Sequence, residues 1–142
     1  MRSIRMFVVY GVLFFTPVLA HASTLAWSVG TGGTIRASSG SATWVGQPSG
    51  TTTQLNDVVF TDAGHGWVAG TDGIVYRTTD GGANWIASPV ISASPLVAID
   101  FVNNTTGFVV SETGQLYRTT DGGLTFAPPI NLGVHFYRRR PR

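Results

Sequence analysis

Apolar and polar positions alternate with a period of two, in short bursts rich in β-branched and aromatic residues. Such bursts predict strands. In the middle of the chain they fall at roughly 55–61, 66–70, 74–79 and 84–88, divided by Gly or Asp-Gly pairs. Asp72-Gly73 and Asp80-Gly81 are tight-turn dipeptides, because Gly accepts a positive φ without steric cost. No helical period runs through the chain after its apolar beginning. The pattern therefore predicts an all-β protein of short hairpins.

The hairpins recur. Thr78-Thr79-Asp80-Gly81-Gly82-Ala83-Asn84-Trp85 returns 41 residues later as Thr119-Thr120-Asp121-Gly122-Gly123-Leu124-Thr125-Phe126. Upstream, Leu55 to Phe60, Gly66 to Gly73 and Ile74 to Arg77 return as Leu96 to Phe101, Gly107 to Gly114 and Gln115 to Arg118. A degraded copy precedes them: Trp27 lies 40 residues before Trp67 and Trp44 lies 41 before Trp85. Its turn reads Ser38-Ser39-Gly40-Ser41, without the aspartate. A period of about 40 residues with four strands per unit is the mark of propeller blades. The expected fold is a partial β-propeller of about two and a half four-stranded blades, at about 24–47, 55–88 and 96–127. In each turn the aspartate (Asp80, Asp121) is expected to hold the backbone, Gly82 and Gly123 to allow its curvature, and Trp85 and Phe126 to drop between neighbouring sheets.

Propellers close with about four to eight blades. So short a series leaves a sheet face uncovered, which predicts self-association that completes a ring, a truncated relative of a longer protein, or an open stack.

Composition changes the picture at both ends. Arg2 and Arg5 precede an apolar run from Met6 to Leu19, and Ala20-His21-Ala22 has the form of a cleavage site. The run is about 14 residues, short of the roughly 20 that a spanning helix needs. Residues 1–22 are thus expected to be a signal peptide cleaved after Ala22, and the mature protein to be periplasmic or extracellular. Cysteine is absent, which excludes disulfides, a lipid-anchored cysteine and thiolate metal sites. The net charge of +2 hides a segregation: between Ser23 and Ile130 only Arg36, Arg77 and Arg118 oppose the seven acids, and four further arginines lie within Arg138–Arg142. Residues 131–142 are expected to form a basic, solvated, disordered end, and nothing in the repeats points to nucleic acid.

Candidate chemistry is sparse. Arg36, Arg77 and Arg118 recur at intervals of 41 and are the candidate partner-binding residues, a cationic stripe suited to carboxylates; the plainer alternative is a local pairing with an acid of the same blade. Asp57, Asp62, Asp72, Asp100 and Glu112 are scattered beside turns. One acid per turn is too few for a calcium loop. His65 and His135 do not form a metal site by spacing, and Gly30-Thr31-Gly32-Gly33 lacks the ending of a phosphate loop. Asn103-Asn104-Thr105-Thr106 holds overlapping glycosylation sequons. No catalytic residue, metal or cofactor is assigned.

The Thr-x-Asp-x-Gly-x-x-Trp/Phe turns resemble the Asp-box, or bacterial neuraminidase repeat. The fuller unit, Leu55-x-Asp57-Val58-x-Phe60, Gly66-Trp67-Val68-x-Gly70-x-x-Gly73 and Arg77-Thr78-x-Asp80-Gly81-Gly82-x-x-Trp85, resembles the photosystem II stability/assembly factor family over residues 24–127. That resemblance implies an exported, non-enzymatic propeller that binds a protein partner, such as a membrane-protein assembly intermediate, through an arginine-rich face. Members of that family are seven-bladed and more than twice as long. The neuraminidase side of the resemblance implies an alternative, a sialidase-like hydrolase or glycan-binding fragment; against it, Glu112 is the single glutamate where that chemistry asks for a Tyr–Glu nucleophile pair and a further acid. A truncated, non-functional repeat fragment is the remaining alternative.

Overall fold

A computed structural model describes residues 26–40 and 43–136, together with the backbone of three two-residue strands nearer the start. Those three are β1 (Ile4–Arg5), β2 (Val8–Val9) and β3 (Val12–Leu13). The first blade holds β4 (Ala26–Val29), β5 (Ile35–Ser38) and β6 (Val45–Gln47). The second holds β7 (Leu55–Phe60), β8 (Gly66–Gly70), β9 (Val75–Thr78) and β10 (Ile86–Ala87), and the third holds β11 (Leu96–Phe101), β12 (Gly107–Ser111), β13 (Gln115–Thr119) and β14 (Ile130–Asn131). Every pairing is an antiparallel meander. β1 adds a fifth strand to the second sheet beside β7, and β2 pairs with β3. The protein is a partial β-propeller, and one 3₁₀ turn at Thr31–Gly33 is the helical element among the described residues.

Each seam between blades is a separate core. Trp27, Val29 and Ile35 of the first blade pack on Leu55, Val58, Phe60, Val68 and Tyr76 of the second. The opposite face of the second blade (Val59, Trp67, Ala69, Val75) packs on Leu96, Ile99, Phe101, Val109 and Tyr117 of the third. A strand's side chains alternate between faces, so one sheet feeds both seams.

At the centre of each seam two rings lie flat on one another. Trp27 stacks on Phe60 with centroids 3.4 Å apart and planes 8° from parallel; Trp67 stacks on Phe101 at 3.7 Å and 9°. The phenylalanine rings also lie over a glycine of the adjacent strand. A Cβ on Gly66 would meet the Phe60 ring at 2.4 Å, and one on Gly107 would meet Phe101 at 2.6 Å. The order across each seam is therefore glycine backbone, phenylalanine ring, tryptophan ring.

The residues expected to fill the seams do so only in part. Trp85 and Phe126 are half-buried and pack on the rims of the first and second seam respectively, with Trp85 edge-on to Phe60 at 5.9 Å. The fully enclosed rings come from the first and second strands of the unit, which the repeated turn does not announce.

The linkers repeat as well. Gly33, Gly73 and Gly114 all have positive φ, and a Cβ on them would fall 1.8, 1.9 and 1.7 Å from the carbonyl oxygens of Thr51, Ser92 and Val134. Each blade's outgoing chain thus lies directly on a turn of that blade. Asn131 to Phe136, expected as a disordered end, follows this same path, with the Leu132 and Phe136 N–H groups donating to the Gly114 and Glu112 carbonyls. Arg138–Arg142 lie outside the described residues.

Outer strands are shorter than the sequence pattern predicts. Where 84–88 was expected, β10 spans Ile86–Ala87. In the third blade the Ala127 N–H donates to the Arg118 carbonyl, but Pro128 and Pro129 follow, and the strand resumes only at Ile130–Asn131, beyond the expected limit of 127. Proline has no N–H to continue the ladder.

Phe101→Ala is expected to cost about 3–5 kcal/mol, because it deletes a buried ring and leaves a slot that Gly107 cannot fill. Phe126→Ala, at a half-exposed rim, should cost less than half as much. Equilibrium urea unfolding of the two variants checks this, and equal losses would refute the assignment of the stacked rings as the seam's centre.

Candidate functional site

The two Asp-box turns are built alike. The buried Thr78 hydroxyl accepts the Asp80 and Gly82 N–H groups at 3.3 and 2.9 Å and donates to Asp80 Oδ1 at 2.8 Å. Asp80 then accepts the Asn84 backbone and side-chain N–H groups at 2.9 and 2.8 Å. Thr119 bonds Asp121 and Gly123 with the same geometry, and Asp121 accepts the Leu124 and Thr125 N–H groups and the Thr125 hydroxyl. Both carboxylates are held in their ionised form, at about 2. Asn84 is the main cause for Asp80, and Thr125 for Asp121. Acids whose oxygens are occupied in this way are turn supports, poorly placed to take up a proton from a substrate.

Several polar side chains cross the seam between the second and third blades. The Trp67 indole Nε1 donates to the Gly122 carbonyl at 2.8 Å. Asn56 Nδ2 donates to the Leu96 carbonyl at 2.6 Å, and Asp57 Oδ2 accepts the Ile99 N–H at 2.9 Å. Both blades have a register shift here, between Leu55 and Asp57 and between Leu96 and Ala98. Asp57, read from sequence as one of the acids scattered beside turns, is instead enclosed between the innermost strands. Burial pushes its carboxyl up to about 6, against the opposing pull of the Ile99 and Val58 N–H groups.

Asp62 and His65 form a second crossing point. Asp62 accepts the Gly64 and His65 N–H groups, lies 2.9 Å from His65 Nδ1, and accepts Asn104 Nδ2 from the third blade at 2.9 Å. Desolvation raises its pKa, but the His65 N–H, the His65 ring, Asn104 and Gly64 outweigh it and hold the carboxyl well below its usual range. Asn103, one repeat later, closes its own loop by accepting the Thr105 and Thr106 N–H groups. Among the described residues no group of three or more His, Cys, Asp or Glu side chains is placed to hold a metal ion.

The three repeated arginines do not share one register. Arg77 lies opposite Trp67 and Ile86, and Arg118 lies opposite Phe108. In the first blade it is Ala37 that lies opposite Trp27, while Arg36 lies opposite Ser28 and Gly46. The reason is the spacing of the degraded copy. It runs 40 residues behind the second blade through Trp27 to Ser38, and one residue of slip turns a side chain to the other sheet face. Arg77 and Arg118 are therefore structural equivalents, and Arg36 faces the other way. Arg36 and Arg118 are exposed and Arg77 is half-buried. None of the three guanidiniums forms an ion pair among the described residues. Local pairing with an acid of the same blade, the plainer expectation, is not what the structure has.

An open cleft of about 400 Å³ lies between the linker Pro89–Ile91 and the segment Leu124–Pro129, with Tyr117 in its lining. Its lining carries no charged side chain, and Val90 and Leu124 are 64% and 52% exposed. Apolar walls of this kind suit aliphatic side chains.

The shifted carboxyls set a pH profile. Asp57 keeps its proton to higher pH folded than unfolded (about 6 against 3.8), so the fold binds the extra proton and gains stability as pH falls from about 6 to 4. Asp80 and Asp121 act oppositely: their contribution is present above about 4 and is lost as pH falls through about 2. The melting temperature should therefore peak between about pH 4 and 5, and Asp57→Asn should flatten the limb between 4 and 7. A steady fall in melting temperature from pH 7 to 5 would contradict this.

The photosynthesis system II assembly factor YCF48 family model matches residues 36–127. Among solved structures, YCF48 bound to a D1 peptide superposes with a TM-score of 0.62 at 28% identity, over 70% of this chain and 35% of that one. YCF48 from Cyanidioschyzon merolae superposes with a TM-score of 0.51 at 24% identity, over 82% of this chain and 42% of that one, a likeness of fold. The chain thus spans 35% and 42% of the length of these structures. No curated protein matches it. With the family-model match running from within the first blade through the third, the chain belongs to the photosynthesis system II assembly factor YCF48 family.

Proposed function

We propose that this chain is an exported, non-enzymatic module that binds a segment of a protein partner during the assembly of a membrane complex. The observation that carries this reading is the 28%-identical propeller with a D1 peptide bound to it. Arg77 and Arg118, equivalent in register and without ion pairs among the described residues, are the groups suited to the partner's carboxylates. The apolar cleft beside Tyr117 suits the aliphatic side chains between them. Association of the chain with further copies of itself belongs to the same reading, because no other sheet of the described residues packs on the outward face of the third blade. Export rests on the basic, apolar and Ala20-His21-Ala22 sequence of the first 22 residues.

Two measurements test this. A fluorescently labelled D1 peptide should bind with an affinity that falls at least tenfold in Arg77→Glu/Arg118→Glu and changes little in Arg36→Glu. Equal binding by all three proteins would remove the arginines from the site, and no binding at all would remove the proposed partner. Intact-mass analysis of the chain recovered from a bacterial periplasm should show Ser23 as the first residue; a retained Met1 would overturn the export reading.

A further inference from the structure

Two donors meet one acceptor at the first seam. In the second seam the Trp67 indole donates to the Gly122 carbonyl at 2.8 Å, and a Cβ on Gly123 would lie 3.2 Å from Trp67 Nε1. The edge of that indole thus rests on the Asp-box turn of the next blade. The first seam has the same parts. Gly81 and Gly82 have φ of 73° and 91°, against 75° and 84° at Gly122 and Gly123. Trp27 lies on Phe60 in the same flat stack as Trp67 on Phe101. The Gly81 carbonyl, however, accepts Gln47 Nε2 at 2.9 Å. A Cβ on Gly82 would meet Gln47 Oε1 at 2.1 Å, so a carboxamide covers the turn where the second seam has the indole edge.

Register brings Gln47 to this place. It ends β6 opposite Ile35, which in turn lies opposite Val29, and cross-strand partners share a sheet face. That face is turned to the second blade. The counterpart 41 residues on, Ser88, stays within its own blade: its hydroxyl donates to the Pro89 carbonyl and accepts the Val75 N–H. The insertion of Gln47 leaves Trp27 Nε1 and Gln47 Oε1 buried without a hydrogen-bond partner among the described residues. A buried donor or acceptor left unpaired loses the bond that water would have given it. Gln47 is half-buried, and Val45 and Gly46 beside it on the same strand are exposed. Its side chain therefore has a short way out to solvent, where both ends of the amide are hydrated.

We propose that Gln47 is a removable wedge and that the first seam has two states. In the state described above, the Gln47 amide holds the Gly81 carbonyl and the Trp27 indole is unpaired. In the other, Gln47 turns out to solvent and Trp27 donates to Gly81, as Trp67 does to Gly122. The exchange replaces one hydrogen bond by another, keeps the ring stack and relieves both unpaired atoms. Packed interfaces with two discrete arrangements of this kind are what turn a small local change into a switch. The device governs how firmly the first blade is held and is separate from the arginines and the cleft of the partner-binding reading.

Hydrogen exchange at the indole N–H groups, followed by NMR on the full chain with Trp67 as internal standard, tests it. In the unmodified chain the Trp27 indole should exchange its proton at least tenfold faster than that of Trp67. Gln47→Ala should slow exchange at Trp27 at least tenfold and leave the urea midpoint unchanged or higher. Gln47→Glu keeps the size of the side chain but sets a carboxylate against the Gly81 carbonyl; it should be expelled and slow Trp27 in the same way. A lower urea midpoint in Gln47→Ala with Trp27 exchange unchanged would show an ordinary buried hydrogen bond and overturn the wedge. A Gln47→Ala chain that does not fold would overturn it as well, since loss of the wedge is expected to do no harm. Equal exchange at Trp27 and Trp67 in the unmodified chain would overturn the two-state seam.

Discussion

The flat contact between a tryptophan of one blade and a phenylalanine of the next is what the rest of the molecule is arranged around. A phenylalanine ring can lie flat against a tryptophan only if nothing stands beneath it, and the glycine one strand over removes the Cβ that would. Stacked aromatic pairs contribute about 0.5–1.5 kcal/mol beyond the area they bury, but their larger effect here is geometric. They fix the distance and the rotation between two sheets, and aliphatic residues then fill the space around them. A four-stranded meander has two faces to bury, and the repeat meets both demands with the same few residues used twice.

Around that contact the polar groups serve to join blades. The Asp57 carboxylate takes an N–H of the third blade, and Asn56 gives one to a carbonyl there. Both sit at the register shift of the innermost strand, where an irregular residue breaks the ladder and turns polar groups sideways. The Asp-box turns work locally instead. A buried threonine hydroxyl and an exposed carboxylate satisfy nearly every N–H of a tight loop, and that loop presents the Gly122 carbonyl to Trp67. In the second seam the turn thus also supplies the acceptor for the indole of the preceding blade.

Much of this was legible in the sequence. The 41-residue repeat gave the number of blades and the order of their strands, because hydrophobic alternation and Asp-Gly punctuation are local properties. The aromatics at the centre of the seam were harder to see. Trp85 and Phe126 end the most recognisable motif, and yet Phe60 and Phe101, embedded in ordinary strand sequence, hold the enclosed positions. Only the cross-strand register, with a glycine opposite each, distinguishes them. Asp57 escaped for a similar reason, since burial at a bulge depends on the neighbouring blade. Arg36 illustrates a different limit. Its spacing of 41 matched Arg77, but the spacing of 40 between Trp27 and Trp67 carried the structural register, and counting along the chain gave no reason to prefer one over the other.

The two seams are not equal, and the difference traces to Gln47. Its side-chain nitrogen donates to the Gly81 carbonyl at 2.9 Å, the place in the first seam that corresponds to the Gly122 acceptor of Trp67. The Trp27 indole is left buried without a partner, as is the Gln47 oxygen itself. Unpaired buried polar groups each cost on the order of 1–3 kcal/mol. Among the described residues the first blade also has three strands to the four of its successors, excluding β1. Cohesion therefore grows along the polypeptide, so that thermal or mechanical fraying begins at the first sheet and the pair formed by the second and third blades outlasts it.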